Sequence, residues 1–387
     1  FERCESTSLF TFTKDFDTSK VKNMAGMFKD CISLNSIDLS MFDTSNVEDM
    51  SYMFEDLCSL DQIDLSNFDT RNVKNMSSMF YYCTSLKDVK ISKFNTEKVI
   101  DFSNMFYLCR SLNYLNISNF VTSSAEDISF MFSYCTGLSF LDLTGFDTKN
   151  VRNMSGLFHE CYSMKYLDIS NFETRNTEDM SYMFQDLGAL LELNVSHFDT
   201  SNVRNMNGMF SGCSLLKRLD VSKFNTKKVE DMSLMFRFCS EVTSLDVSNF
   251  STEKVRTMES MFQYCRSLQS LDVSKFDTSS CTDFARMFDE VSVSELKVGN
   301  FDTSKATNMK SMFSGMKSIR FLDVSKFNTR NVNDMSFMFQ GCSRLSELDV
   351  SNFDTSNVQN MHYMFENVGS SKLDVSGFNT GKVENMM

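Results

Sequence analysis

Residues 34–57 read LNSIDLSMFDTSNVEDMSYMFEDL, and this pattern returns along almost the whole chain. Ile37 and Leu39 alternate with Asp38 and Ser40, the period of two that marks a short strand with one buried face. Leu34 and Phe42 flank it as further apolar anchors. Val47, Met50, Met53, Phe54 and Leu57 then follow i, i+3, i+6, i+7 and i+10, which is helical spacing with one apolar stripe. Ser45 and Asn46 precede that stripe, with Glu48 and Asp49 three residues on, as in a capping box. One unit therefore reads as a strand followed by a short helix or helical turns.

The unit repeats at a fixed period. Phe-x-Thr recurs from Phe16 to Phe378 in steps of 26 residues, with steps of 25 from Phe276 to Phe301 and from Phe353 to Phe378. A period in this range means stacked supersecondary units, each burying its apolar face against its neighbours. The spacing predicts an α/β solenoid with parallel strands on a concave face and short helices on the convex face. No shift in composition interrupts the array. The chain reads as a single domain over 1–387, with a partial first unit at 1–15 and an incomplete last unit at 379–387.

Composition narrows the function. The 387 residues carry 51 Asp and Glu against 38 Lys and Arg, a net charge of −13. That balance argues against a general nucleic-acid binder, which needs basic surface to displace counterions. No apolar run is long enough to span a membrane. Nothing at the start reads as a basic and apolar leader, although the chain begins and ends inside repeat sequence. There is no Pro, in keeping with a backbone whose donors are all used.

In a stack each repeat position becomes a column. The Phe of Phe-x-Thr forms one aromatic spine, and the Phe running from Phe28 to Phe365 forms a second. Met columns such as Met50 and Met53 read as adaptable core filler. The Thr column, Thr18 to Thr380, reads as a turn-stabilising hydroxyl ladder. Nine cysteines share a column: Cys31, Cys83, Cys109, Cys135, Cys161, Cys213, Cys239, Cys265 and Cys342. Leu57, Leu187, Val291, Met316 and Val368 replace them elsewhere, so the column is expected to be buried and reduced. A line of thiols also suits neither disulfide geometry nor a metal, which needs ligands around a point.

The strand face is where a binding site is expected. Asp38 recurs as Asp64, Asp142, Asp168, Asp220, Asp246 and Asp272, among others, with Lys90, Asn116, Asn194 and Lys297 as exceptions. Stacked carboxylates repel, so either the adjoining Ser column and water offset the charge, or a cation sits among residues such as Asp220, Asp246 and Asp272. The neighbouring outward column is variable and holds Tyr114, Phe140 and Tyr166 in three consecutive units. With Asn116, Asp142 and Asp168 beside them, these rings form an aromatic strip flanked by acceptors, suited to a sugar or a peptide. The alternative is plain sheet-surface packing, since aromatics favour strands.

Catalytic signatures are absent. His159, His197 and His362 are scattered, and no Gly-rich phosphate loop opens a helix. His159 lies near Cys161, but that thiol belongs to the buried column, so a Cys–His nucleophile is not expected. No cofactor is implied.

The phrase MSYMFEDLCSLDQIDLSNFDTRNV, residues 50–73, resembles the BspA-like leucine-rich-repeat surface proteins, and more narrowly the mycoplasma-type lipoprotein repeat. The resemblance implies a leucine-rich-repeat-type solenoid with no catalytic residues, located outside the cell or on its surface. It also implies adhesion to a protein or glycan on another cell or matrix. A structural subunit of a surface layer or filament, formed by self-association of stack ends, is the alternative.

Overall fold

The computed structural model describes residues 1–13 and 15–387. They divide into two compact units, Phe1–Leu191 and Glu192–Met387. Within each, successive repeats lie one on the next in parallel register. In the first unit β1 (Leu9–Phe10) pairs with β2 (Ser36–Ile37), and β3 (Gln62–Asp64) with β4 (Asp88–Lys90). Ile63 opposes Val89 and both are buried, while Gln62 and Asp64 are exposed, as strand alternation requires. In the second unit the strand positions meet as isolated parallel bridges, Ser244 with Ser270 and Phe321 with Glu347.

The expected convex helices do not form; among the described residues there is no helix. The segment after each strand instead carries the longest run of contacts between repeats. Parallel bridges link Asn23, Asp49, Asn75, Asp101, Asp127, Asn153 and Asp179 in the first unit, and Asn205 through Asn385 in the second. The N–H groups of Met50, Tyr52, Phe54 and Asp56 donate to the carbonyls of Asn75 (3.0 Å), Ser77 (2.9 Å), Met79 (3.0 Å) and Tyr81 (2.8 Å), all in the next repeat. Alternate N–H groups close tight turns within the repeat, Met53 to Met50 (3.3 Å) and Glu55 to Tyr52 (3.1 Å).

The physical reason is spacing. Repeats joined by parallel bridges approach to about 4.8 Å, whereas a helix is about 10–12 Å across. Consecutive turns fit that spacing and a helix does not. The three-residue apolar period is common to both, so Met50, Met53, Phe54 and Leu57 are fully buried as the stripe requires. Tyr52 (φ 57°), third residue of the Met50–Met53 turn, takes the left-handed backbone that a type II turn needs there, and Asp56 (φ 61°) is left-handed too. The capping-box residues serve the same turns. Asp43 Oδ1 accepts the N–H of Ser45 (2.9 Å), and Asp49 Oδ1 accepts the N–H (2.9 Å) and hydroxyl (2.7 Å) of Ser51.

Two columns hold the repeats together inside. The second Phe column is a stacked spine, with ring centroids 5.5 Å apart from Phe54 to Phe80 and 5.7 Å from Phe236 to Phe262. The Cys column lies beside it and its thiols are unbridged. Column thiols donate to a Phe carbonyl one repeat back: Cys83 to Phe54 (3.0 Å), Cys161 to Phe132 (3.0 Å), Cys265 to Phe236 (3.1 Å). Burial pushes the Cys161 and Cys265 thiols up to about 12.

Candidate functional site

Tyr114, Phe140 and Tyr166 occupy the same outward position of three consecutive repeats, 69%, 59% and 70% exposed. No strand or bridge forms at these positions, but burial still alternates as in an extended segment: Leu115 and Leu141 beside them are buried, and Leu167 is half-buried. The flanking polar column is engaged by its own repeat. Asn116 Oδ1 accepts the hydroxyl of Ser118 (2.9 Å), and Asp142 Oδ1 the hydroxyl (2.7 Å) and N–H (3.1 Å) of Thr144. Asp168 Oδ1 accepts the N–H of Ser170 (3.0 Å). These bonds hold the Asp142 and Asp168 carboxyls below the usual carboxylate range, so both are ionised acceptors beside the rings.

Asp220, Asp246 and Asp272 use the same turn, accepting the N–H of Ser222 (3.1 Å), Ser248 (3.0 Å) and Ser274 (3.0 Å). This pairing is how the ladder of carboxylates is accommodated: Asp142 is met by Thr144, and Asp168, Asp220, Asp246 and Asp272 each by the Ser two residues on. This Asp column does not gather three ligand atoms around a point, among the described residues.

Three such atoms do meet on the turn face, where the sequence reading saw only a scattered histidine. His159, Glu160 and Asp186 place one ligand atom each within 4.8 Å of one another. Aromatic rings enclose the imidazole: Tyr134 at 5.0 Å, Tyr182 at 6.1 Å and Phe130 at 6.4 Å between centroids. Glu160 accepts the Tyr162 hydroxyl (2.8 Å), and His159 Nδ1 lies 3.3 Å from Ser133 Oγ. Burial lowers the His159 pKa despite the Glu160 carboxylate 3.6 Å from Nε2, which favours the neutral ring. A neutral imidazole with two carboxylates is a donor set that a divalent cation accepts, but Nδ1 is already engaged by Ser133 and Glu160 by the Tyr162 hydroxyl. Cys161 is turned away into the core, so it does not pair with His159. The one signal the sequence carries is the adjacency of His159 and Glu160.

Repeat, register and buried columns together define a stacked-repeat protein of the leucine-rich type. The chain belongs to the family described as "Mycoplasma protein of unknown function, DUF285", whose model matches residues 1–113, 57–166, 84–192, 135–244, 188–297 and 291–387. No curated protein matches it. Among solved structures it is similar to a leucine-rich-repeat protein from Bacteroides ovatus, at 14% identity over 96% of this chain and 79% of that one, TM-score 0.33. A leucine-rich cell surface protein from Faecalibacterium prausnitzii shares 18% identity over 82% of this chain and 80% of its own, TM-score 0.36. A leucine-rich-repeat protein from Eubacterium ventriosum shares 14% over 97% and 80%, TM-score 0.32. Likeness at this level carries nothing about function. No helix of the described residues is long and apolar enough to cross a membrane.

Proposed function

We propose that this chain is a non-catalytic extracellular surface protein that binds a protein or glycan ligand through its strand face. The observation that carries the reading is the exposure of Tyr114, Phe140 and Tyr166 on consecutive repeats. Soluble proteins seldom leave several large rings side by side in water without a use. Asn116, Asp142 and Asp168 supply acceptors along the same strip, which suits hydroxyl or amide donors of a ligand. Buried thiols and turn-engaged carboxylates offer no activated nucleophile there. Phe140→Ala with Tyr166→Ala tests the site, by comparing the variant with the parent on arrays of matrix proteins and glycans. Equal binding by both would move the site off this face.

A further inference from the structure

The first of the two repeats that shorten the 26-residue step lines a groove. From Val291 to Leu296 the bend between turn ladder and strand is one residue shorter than from Cys265 to Leu271, the matching stretch of the repeat before. Val293 is buried in the place of the longer Leu268 of that repeat. The repeats on either side keep the full spacing, from Cys265 to Leu271 and from Met316 to Leu322. A groove of about 1050 Å³ lies here, with Arg266, Lys297, Arg320, Phe321 and Arg344 on its walls against two carboxylates, Glu295 and Asp323. A second recess of about 480 Å³ shares Gln269, Ser294, Glu295 and Lys297 with it and extends the groove toward Ser244.

The short repeat also changes the charge of its own strand. Where neighbouring repeats place Asp272 and Asp323, it carries Lys297; where they place Ser274 and Ser325, it carries Gly299. One carboxylate is replaced by an ammonium and one side chain is removed from the groove lining. Arg266 and Lys317 reach Glu290 at 3.3 Å and 3.8 Å. Arg320 and Arg344 form no ion pair among the described residues, and both are exposed. Two uncommitted guanidinium groups in one groove contrast with the net charge of −13 on the chain.

We infer that this groove binds an anionic oligosaccharide, one carrying carboxylate or sulfate groups. Guanidinium forks match both groups bidentately. Phe321, 61% exposed at the edge, offers a flat apolar face for a sugar ring. Ser292, Ser294, Ser318 and Asn300 offer hydroxyl and amide partners for sugar hydroxyls. Around Phe321 the lining is mostly serine, amide and charged side chains, which suits a hydroxyl-rich sugar better than a peptide. The site lies wholly in the second unit and does not depend on Tyr114, Phe140 or Tyr166.

The test is calorimetric titration of the full chain with a heparin-derived oligosaccharide, a neutral maltooligosaccharide and a polyglutamate peptide. The sulfated sugar is expected to bind in a salt-sensitive way, and the neutral sugar not to bind. Arg320→Ala with Arg344→Ala should weaken binding at least about tenfold, Phe321→Ala should weaken it measurably, and Arg320→Lys with Arg344→Lys should retain part of it. The variant Phe140→Ala with Tyr166→Ala should bind the sulfated sugar as the parent does, which separates this site from the strand-face strip. Unchanged binding by the double Arg variant, with its melting curve intact, would overturn the inference. So would polyglutamate binding as tightly as the sugar and indifferent to Phe321→Ala.

Discussion

The hydroxyl of Thr96 donates to the carbonyl of Val121 (3.0 Å) and accepts the N–H of the same residue (2.8 Å). One buried side chain thereby pairs both backbone groups of a residue in the next repeat. Thr44 does the same for Asp69, and Thr226 for Ser251. The Thr column is an inter-repeat clamp, beyond the turn ladder that the sequence suggested. Thr96→Val keeps the shape and strands the Val121 backbone groups, and should cost about 1–3 kcal/mol in denaturant unfolding. Thr96→Ser keeps the hydroxyl and should cost less.

Ser78 is buried with φ at 55° and donates its N–H to Ser103 in the next repeat (2.8 Å). Were this segment helical, Ser78→Gly would destabilise by about 0.5–1 kcal/mol. In the left-handed turn it should be neutral or stabilising, whereas Ser78→Val should destabilise clearly. Far-ultraviolet circular dichroism of the parent should lack the helical double minimum.

The thiols set an alkaline limit. Burial raises Cys161, Cys265 and Cys342 from the ordinary 9.0 to about 12. Below pH 9 folded and unfolded chains both hold these protons, and the stability is fully present. As pH rises from about 9 toward 12 the unfolded thiols ionise first, and stability is lost. Melting curves between pH 8 and 11 should show a steady fall, less steep in a Cys161→Val, Cys265→Val variant. Alkylation of the column thiols at neutral pH should be slow.

The aspartates set an acid limit. Ser66, through its hydroxyl and N–H, and Lys90 hold Asp64 at about 2 against an ordinary 3.8. A depressed carboxyl contributes stability above the unfolded value and loses it as pH falls through the folded one. Acid titration followed by fluorescence should show unfolding beginning below about pH 4. Ser66→Ala should raise the Asp64 titration seen by NMR.

Period, parallel register, the Phe spine and the buried Cys column were all legible, because each follows from residue identity at a fixed step. The helix was misread because Met50, Met53 and Phe54 satisfy the spacing of a helix and of consecutive turns alike. Only the approach of neighbouring repeats separates the two, and a single unit does not display it. Phe130 and Tyr134 belong to the repeat before His159 and Tyr182 to the one after it, so no local motif announces the enclosure. Outward placement of Tyr114, Phe140 and Tyr166 was readable from strand alternation alone, and all three are exposed.

Ligand binding through that strip is the central claim, and the direct measurement is equilibrium binding of the parent and of Phe140→Ala with Tyr166→Ala to immobilised matrix proteins and glycans. Truncating exposed rings should leave the melting temperature nearly unchanged, while affinity for the strand-face ligand falls at least about tenfold. A double variant that keeps every interaction of the parent at equal affinity would contradict the account.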